Sequence, residues 1–472
     1  MDRRPGPTRR SAPAATGGTH GDRPTSARLV SGAPAQPAQP AQPAGHAGPD
    51  KPAEPAEPGK DAEPTEQLPA LELSDGPSEV ISEPADLDRY ARALAAGSGP
   101  VGLDAERASG YRYSQRAYLV QIRREGAGTA LIDPIALPDL SVVSAAIADA
   151  EWILHAATQD LPCLAEVGMV PMNLFDTELA GRLLGRERVS LAALVASELG
   201  RHLAKGHGAT DWSVRPLSPE QLRYAALDVE PLVELRDALA ADLQAAGRWE
   251  AARQEFDHLR GFRPRDKGPD EWRRLSGMHK LRSPRQWGIA REMWLERDEI
   301  ARGKDIAPGR ILPDSAIVAV VRALPDSKDA MLSTDGFHGR GAGRYARSWW
   351  TAFQRGRDMP ESQLPERTVR GDGPPPPRSW AERNPPAHER LTRAREAIAQ
   401  VSERWQVAPE ILLSPEILRR LCWDPPDGFE RATATDDDAI RGFLAGSGAR
   451  PWQIDTCLPV LRQALAKEVT SE

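Results

Sequence analysis

The chain has 472 residues, of which 61 are basic and 68 acidic, so its formal charge is −7. This length predicts about three domains, and the net acidity excludes a uniformly basic nucleic-acid-binding surface, which leaves only local basic patches. The three cysteines are far apart in sequence, and no apolar run reaches the length of a membrane span, so we predict no zinc site, disulfide framework or transmembrane helix. The N-terminus also has no apolar stretch typical of a secretory signal, and we predict a cytoplasmic protein.

The first 70 residues are rich in Pro, Ala and Gly, and we predict a disordered tail over residues 1–70. From residue 71 onward the pattern is globular. Helices are predicted over 84–96 and 138–150 and from residue 160, and strands over 100–106, 117–122, 128–133, 151–156 and 173–176. Short gaps between the first strands predict an antiparallel meander, and the later alternation of strands and helices predicts an α/β fold with a mixed sheet flanked by helices.

Two carboxylates, Asp104 and Glu106, end the first long strand. Residues two apart on a strand project from the same face, so both carboxylates should point into one site. Two carboxylates at such a short separation repel each other unless a cation or a proton lies between them. Their hard oxygen atoms are suitable ligands for Mg²⁺ or Mn²⁺. The alternative is a solvated strand end without function.

Further carboxylates follow the later strands, where sites form in α/β sheets. Asp160 comes after the strand at 151–156 and begins a helix, so it is either a site residue or only a helix cap. Asp176 ends the next strand and competes with Asp160 for the same place.

The helix from Ser218 to Asp228 has a firm start, because Ser218 and Gln221 form a capping-box pattern around Pro219. Tyr224 and Asp228 are four residues apart and therefore share one face of that helix. Asp228 lies beside an apolar stripe, where burial would be costly without a cation. The alternative places Asp228 in solvent and makes Tyr224 an ordinary half-buried aromatic residue.

Four motifs resemble the ribonuclease D family of DEDDy exonucleases, whose fold is RNase H-like. They are H-A-A-T-Q-D-L at 155–161, F-D-T at 175–177, D-W-S-V-R-P-L-S at 211–218 and Y-A-A-L-D-V at 224–229. The resemblance covers residues 75–250, and we assign the exonuclease domain to residues 71–258.

The resemblance implies 3′–5′ hydrolysis of RNA to nucleoside 5′-monophosphates with two divalent cations, Mg²⁺ or Mn²⁺. It implies that Asp104 contacts both metals, that Glu106 and Asp228 complete one metal site, and that Asp160 supports the other. Tyr224 would orient the attacking water. It also favours Asp160 over Asp176 as the site residue. It implies that the partner is RNA with a single-stranded 3′ end, and the expected substrate is a tRNA precursor. The enzyme is expected to be a monomer.

The chain departs from the family at two positions. Ala105 stands where the family usually has Thr, with little expected effect because this side chain should point away from the site. Pro231 follows the last motif where the family often has an aromatic residue nearby, which puts the continuity of the helix in doubt. Lys205 and Arg215 are candidate RNA contacts, although an ion pair of Arg215 with Asp211 that braces the loop is an equally good interpretation.

The C-terminal half is predicted to be helical. Residues 260–310 carry 14 basic and 8 acidic residues, a local net charge of +6. Residues 266–358 resemble the helicase-and-RNase-D C-terminal (HRDC) domain, a helical nucleic-acid-binding module. Within it Arg340, Arg344 and Arg347 alternate with aromatic residues, and we predict that the aromatics form the core and that some arginines contact RNA. A Pro-rich linker over 359–386 leads to a second, HRDC-like helical domain at 387–472.

Two rival functions remain open from the sequence. One is a DNA 3′–5′ exonuclease, against which the D-W-S-V-R-P-L-S block argues. The other is an RNA-binding protein whose nuclease site has decayed, and the presence of all five catalytic residue types argues against it.

Overall fold

A computed structural model describes residues 68–76, 79–204, 206, 210–266, 268–366, 373–426 and 434–466. The predicted disorder of residues 1–70 therefore falls almost wholly outside the described residues. At the end of that segment Ala70 forms an isolated β-bridge with His202, so residue 70 already belongs to the folded region.

Six strands form one mixed sheet in the order β1-β4-β3-β2-β5-β6. Their bounds are β1 Val80–Ile81, β2 Ser98–Arg107, β3 Ala117–Glu125, β4 Gly128–Ile132, β5 Glu151–Leu154 and β6 Asn173–Asp176. The predicted meander is confirmed, because β2, β3 and β4 pair antiparallel in chain order. β5 then pairs parallel to β2, and β6 parallel to β5. The strand with the first two carboxylates, β2, therefore lies in the interior of the sheet.

Within residues 79–204 and 210–266, eight α-helices pack around this sheet. They are α1 Pro84–Ala96, α2 Ser141–Ala146, α3 Leu161–Glu166, α4 Thr177–Leu183, α5 Leu191–Leu199, α6 Pro219–Val229, α7 Leu232–Ala245 and α8 Trp249–Arg260. Side chains along β2 alternate between the two faces of the sheet. On one face, Leu103 and Ala105 belong to the apolar cluster that packs against α1, α2 and α3. The even-numbered residues face the opposite side, where a side chain at Gly102 would meet Val229 and Leu232. The orientation of Ala105 away from the carboxylates is as predicted.

Two predicted elements are shorter in the structure than in the sequence pattern. The helix expected over 138–150 is confined to α2, because Leu140 and Ile147, which flank it, have non-helical backbone angles. The strand expected over 151–156 ends at Leu154, since Ala156 adopts a left-handed conformation with φ of 58°. The interruption expected at Pro231 is present, as α6 ends at Val229 and α7 begins at Leu232.

The basic helical domain follows the exonuclease region. Its helices are α9 Pro284–Lys304, α10 Pro308–Ile311, α11 Asp314–Ala323, α12 Lys328–Leu332, α13 Arg340–Arg344 and α14 Ala346–Arg357. α9 starts with a full capping box between Ser283 and Gln286. Trp349 and Phe353 are fully buried in the core of this domain, and Trp350 is partly buried against it, so the aromatic residues are mostly core, as predicted.

A second helical unit packs against the exonuclease region. It contains α15 Trp380–Arg383, α16 Pro385–Trp405, α17 Pro409–Leu412, α18 Pro415–Trp423, α19 Ala434–Gly446 and α20 Pro451–Leu465. This unit begins before the predicted boundary at residue 387, because Trp380 is fully buried and contacts Trp423 at 4.9 Å between ring centroids. Glu255 of α8 ties the two regions together, accepting hydrogen bonds of 2.7 Å from both Arg450 and Trp452.

The three cysteines are free thiols, and all are buried. Burial raises the pKa of each thiol to about 12, which keeps it protonated and unreactive at neutral pH. Among the helices within the described residues, none combines the length and apolar composition that crossing a bilayer requires.

Candidate active site

A cleft of about 430 Å³ opens at the end of β2, and all five residues predicted to be catalytic line it. The other residues lining the cleft are Ala105, Arg107, Ser109, Gly110, Tyr111, His155, Gln159 and Thr210. These residues come from the end of β2, the loop that follows it, the segment after β5, the segment before α6, and α6 itself. The cleft therefore gathers side chains that are up to 124 positions apart in the chain, from Asp104 to Asp228.

Asp104 and Glu106 reach the cleft because they alternate on β2, opposite Gln121 and Leu119 of β3. Asp228 approaches them from α6, which packs across β2, β3 and β4. Oxygen atoms of these three carboxylates all lie within 4.8 Å of one another. A cation placed among them could therefore contact all three side chains.

Asp160 occupies the N-cap position of α3 but makes no cap hydrogen bond with its side chain. Its side chain is buried and faces the cleft instead, so the interpretation that Asp160 only caps a helix is wrong. The residue is held by the turn after β5, in which a short 3₁₀ helix spans Ala157–Gln159.

Asp176, the competing candidate, has a structural role. Its carboxylate accepts hydrogen bonds from the backbone N–H groups of Ala156 at 3.2 Å, Ala157 at 2.8 Å and Leu179 at 3.0 Å. The bonds from Ala156 and Ala157 hold the left-handed turn at Ala156, and the bond from Leu179 caps the N-terminus of α4. Asp176 thus positions the turn that carries Asp160, and it does not line the cleft.

The four cleft carboxylates are enclosed and mutually repulsive. Burial raises the pKa of Asp104 to about 6, and burial with the charges of Asp104 and Asp228 raises the pKa of Glu106 to about 10. Burial, followed by the charge of Asp104, also raises the pKa values of Asp160 and Asp228 well above their usual range. Bringing four carboxylates together in this way is unfavourable without positive charge, and a bound dication would supply it.

Tyr224 lies one turn before Asp228 on α6, and its hydroxyl is hydrogen-bonded to the Asp228 carboxylate. The capping box between Ser218 and Gln221 fixes the start of this helix, as predicted. Burial and the neighbouring carboxylates raise the pKa of Tyr224, so its hydroxyl stays protonated and can donate a hydrogen bond within the cleft.

Arg107 is a cleft residue that strand alternation does not predict. It follows Glu106 directly and should point to the opposite face, yet its Nε lies 4.0 Å from Asp160 Oδ1 and its Nη2 donates to Gln159 at 3.1 Å. A register irregularity between Glu106 and Arg107 turns the end of β2 and redirects this side chain.

His155 is a second cleft residue without a predicted role, although the H-A-A-T-Q-D-L motif contains it. Its Nδ1 lies 2.9 Å from the Thr177 hydroxyl, and burial lowers its pKa to about 4. A neutral imidazole therefore lines the wall of the cleft.

Arg215 braces the fold. It pairs with Asp133 through two hydrogen bonds of 2.7 and 2.9 Å and donates to the carbonyls of Tyr118, Trp212 and Val214. Because these bonds use all five N–H donors of the guanidinium, Arg215 has none left for phosphate, and the prediction that it contacts RNA is wrong. The bracing interpretation was correct, but the partner is Asp133 and not Asp211. Lys205, the other loop candidate, lies outside the described residues.

Arg340, Arg344 and Arg347 are exposed on α13 and at the start of α14. The guanidinium of Arg344 lies 5.6 Å from the centroid of the Tyr345 ring. By contrast, Arg355 of the same stretch forms ion pairs with Glu292 and Glu296. The first three arginines keep the exposure that phosphate binding needs, and their contact with RNA stays a prediction.

Three family models match the chain. Residues 78–244 match a 3′–5′ exonuclease model, residues 286–352 match the HRDC domain model, and residues 373–465 match the model of a 3′ to 5′ exonuclease C-terminal domain. The last match is to a model separate from HRDC, so the second HRDC-like copy at 387–472 stays a prediction.

Curated relatives and solved structures agree with these matches. Ribonuclease D of Gluconacetobacter diazotrophicus is 30% identical over 317 residues, covering 64% of this chain and 77% of the relative. Ribonuclease D of Escherichia coli is 29% identical over 271 residues, covering 56% and 72%. A crystal structure of a protein from Bifidobacterium adolescentis is similar with a TM-score of 0.75 and 36% identity over 84% of this chain and all of that one. The crystal structure of Escherichia coli RNase D, with a TM-score of 0.57 and 24% identity over 78% and 98%, has the same fold.

Proposed function

The chain belongs to the ribonuclease D family of 3′–5′ exoribonucleases, and we propose that it uses two divalent cations, Mg²⁺ or Mn²⁺, held by Asp104, Glu106, Asp160 and Asp228. One observation carries the proposal: three of these carboxylates have oxygens within 4.8 Å of one another in a buried cleft. A cluster of this kind has a clear use in a metal-dependent phosphodiester hydrolase.

The residues fit such ions in number and chemistry. All four are carboxylates, the hard oxygen ligands that Mg²⁺ and Mn²⁺ prefer. Burial, followed by mutual repulsion, raises their pKa values despite the nearby Arg107 guanidinium, so further positive charge would stabilise their ionised forms. When bound, a pair of dications stabilises the negative charge of the attacking and leaving oxygens in phosphodiester hydrolysis.

We assign the ligands from their positions. Asp104 is proposed to contact both ions, because it lies in the three-carboxylate cluster and its charge also acts on Asp160. Glu106 and Asp228 would complete one ion site, since they belong to the same cluster. Asp160 would support the second ion from the segment after β5.

Tyr224 is proposed to orient the attacking water. Its hydroxyl remains protonated and donates to Asp228, so its oxygen is held in place and can accept a hydrogen bond from the attacking water. Attack of this water on the last phosphodiester would release one nucleoside 5′-monophosphate and leave a new 3′-hydroxyl on the shortened RNA.

The proposed substrate is RNA with an unpaired 3′ end, and the proposed substrate class is tRNA precursors. Family membership supports this choice, as does the description of the similar Escherichia coli enzyme as an exoribonuclease involved in structured RNA processing. The exposed arginines of the basic helical domain supply the positive charge that a phosphate backbone would meet. The limits assigned from the sequence to the exonuclease and HRDC domains, a monomeric state and a cytoplasmic location are part of the same proposal.

One experiment tests the proposal against its rivals. The purified chain is incubated with an RNA that has a 3′ overhang and with the DNA of the same sequence, in Mn²⁺ or Mg²⁺ and then in EDTA. Stepwise shortening of the RNA that EDTA abolishes supports the proposal. Preferred shortening of the DNA would favour a DNA exonuclease, and RNA binding without any shortening would favour a decayed nuclease.

A further inference from the structure

The loop that follows β2 forms one wall of the cleft. Ser109, Gly110 and Tyr111 all line the cleft, and they come only a few residues after Glu106. The loop is a tight turn, in which the N–H groups of Tyr111 and Arg112 both donate to the carbonyl of Ala108, at 2.8 and 2.7 Å. We call residues 109–111 the cleft rim.

The basic helical domain holds this rim by direct contacts. The Nε of Arg310 donates to the Gly110 carbonyl at 2.8 Å, and the N–H of Ala307 donates to the Tyr111 carbonyl at 3.0 Å. The guanidinium of Arg310 also lies over the Tyr111 ring, 3.9 Å from its centroid, which is close for a cation–π contact. A residue of α10 therefore fixes both the backbone and the side chain of the cleft rim.

The same domain anchors the chain just beyond the rim. Asp298 accepts the Tyr113 hydroxyl at 2.9 Å, and Asp305, at the left-handed C-terminus of α9, accepts the N–H of Ser114 at 2.9 Å. Despite partial burial, the hydrogen bond from Ser114 holds the pKa of Asp305 below its usual range, so this anchor stays charged. The rim is thus built jointly by two domains that are about 200 residues apart in sequence.

We propose that Tyr111 stacks on a base of the RNA near its 3′ end and that Arg310 is the positioning residue that sets Tyr111 for this contact. The inference rests on the proposed exoribonuclease function. Aromatic side chains at the wall of a channel give single strands a stacking surface that accepts any base. The carboxylates at the floor of the cleft repel phosphates wherever no metal lies between, so an uncharged stacking contact at the wall is a favourable way to hold the strand.

This arrangement also gives the basic helical domain a role in substrate placement besides nonspecific attraction. Arg310 acts through Tyr111, because its contacts with the Gly110 carbonyl and with the aromatic ring keep Tyr111 in place. The base contact and the domain contact are therefore coupled, and removing either should affect the same step, which is RNA binding in the cleft.

The test measures KM and kcat for a single-stranded RNA in Mn²⁺ and, in parallel, the hydrolysis of bis(p-nitrophenyl) phosphate, a small diester without bases. The variants are Tyr111→Phe, Tyr111→Leu, Arg310→Ala and the double variant Tyr111→Leu/Arg310→Ala, with Arg404→Ala as control. Arg404 is an exposed arginine of the C-terminal helical unit and does not contact the rim.

Tyr111→Leu is expected to raise KM for RNA by about 5- to 100-fold, the fold-change that corresponds to one base stack, with kcat and diester hydrolysis within about twofold of wild type. Tyr111→Phe should keep the wild-type KM, because it keeps the ring. Arg310→Ala should raise KM by a smaller factor, and the double variant should equal Tyr111→Leu, since the two residues act through one contact. Arg404→Ala should match wild type.

The inference is overturned if Tyr111→Leu leaves KM unchanged in an active enzyme, or if it lowers diester hydrolysis as much as RNA hydrolysis, which would mark a purely structural role. Independent, additive effects of Tyr111→Leu and Arg310→Ala would overturn the positioning role of Arg310. A wild-type protein that hydrolyses neither substrate would instead overturn the proposed function and this inference with it.

Discussion

Two sets of buried carboxylates in the exonuclease region have opposite surroundings. Asp133 is paired by Arg215 through two hydrogen bonds, and Asp176 accepts three backbone N–H groups. In the cleft, Asp104, Glu106 and Asp228 lie together, and burial, followed by the charges of Asp104 and Asp228, raises the pKa of Glu106. Satisfied carboxylates hold the fold, while a repulsive cluster costs stability and is retained for what it binds. The hydrogen-bond partners separate the structural acids from the cleft acids, whereas the pKa alone does not, since burial also raises the pKa of Asp176 to about 6.

The largest expected effect is the loss of activity when a cleft carboxylate is removed, and the distinction between the two sets would fail if such a carboxylate were dispensable. Asp104→Asn should reduce RNA hydrolysis by about 10²- to 10⁴-fold, the effect of losing several kcal/mol of charge stabilisation by metal ions. The matched control is Asp133→Asn, which removes a carboxylate that is paired and outside the cleft. Rates of RNA shortening per folded molecule would be measured for both, and full activity of Asp104→Asn would contradict the site assignment.

Breaking the Arg215–Asp133 pair should lower the free energy of unfolding without lowering the rate of hydrolysis. Arg215→Ala leaves the Asp133 carboxylate buried without its cation, and we expect unfolding to become easier by about 2–3 kcal/mol. The value is below that of a fully buried pair because 31% of the Arg215 side chain is exposed. Chemical denaturation measures this change, and diester hydrolysis per folded molecule should remain that of wild type. A stable but inactive variant would place Arg215 in the active site after all.

Tyr224 extends the comparison from acids to the neighbouring hydroxyl. Tyr224→Phe should lower kcat about 10- to 100-fold with little change in KM, because a positioning hydrogen bond to the attacking water is lost. The control is Tyr90→Phe, which removes a hydroxyl that bonds only backbone carbonyls of Ile122 and Gly128 in the core. That control should lose about 1 kcal/mol of stability and no activity. Equal effects on kcat in the two variants would remove the catalytic role of Tyr224.

The smallest expected effect concerns three exposed arginines for which the described residues show no ion pair. Changing Arg340, Arg344 and Arg347 together to Gln should weaken RNA binding up to about tenfold and reduce the slope of log K against log salt by about 2, the value for three lost phosphate contacts on a single strand. A matched triple variant takes Arg383, Arg395 and Arg404, exposed arginines of the C-terminal helical unit. Salt titrations of RNA binding would compare the two, and an equal loss of slope would deny the basic helical domain a special role.

Local patterns predicted those parts of the site that depend on local geometry. Alternation on a strand placed Asp104 and Glu106 on one face, and helical spacing with the capping box placed Tyr224 beside Asp228. Arg107 escaped prediction because the irregularity that redirects it depends on pairing with β3. The partner of Arg215 could not be read from sequence either, since Asp133 lies 82 positions away and the nearer Asp211 looked equally suitable. The contact of Arg310 with the cleft rim spans 200 positions and arises only when two domains dock.

The central claim is that the cleft acids bind divalent cations, and the shift of the unfolding temperature on adding Mn²⁺ tests it most directly. Because their pKa values are raised in the folded state, these carboxyls contribute fully to the stability of the metal-free protein when the pH is below about 4, the pKa of unfolded carboxyls. That contribution is lost as pH rises through about 6 for Asp104 and about 10 for Glu106. The metal-free site is therefore most repulsive in neutral and alkaline solution, where the shift should be measured and compared with an acidic sample.

Near pH 8, Mn²⁺ at about 100 times its Kd should stabilise the wild-type protein by about 3 kcal/mol and raise its unfolding temperature, with a smaller shift near pH 5. In the double variant Asp104→Asn/Asp228→Asn the metal-free protein should be at least as stable as wild type, and the Mn²⁺ shift should disappear. A wild-type protein that Mn²⁺ does not stabilise, or a double variant that it stabilises equally, would contradict the account.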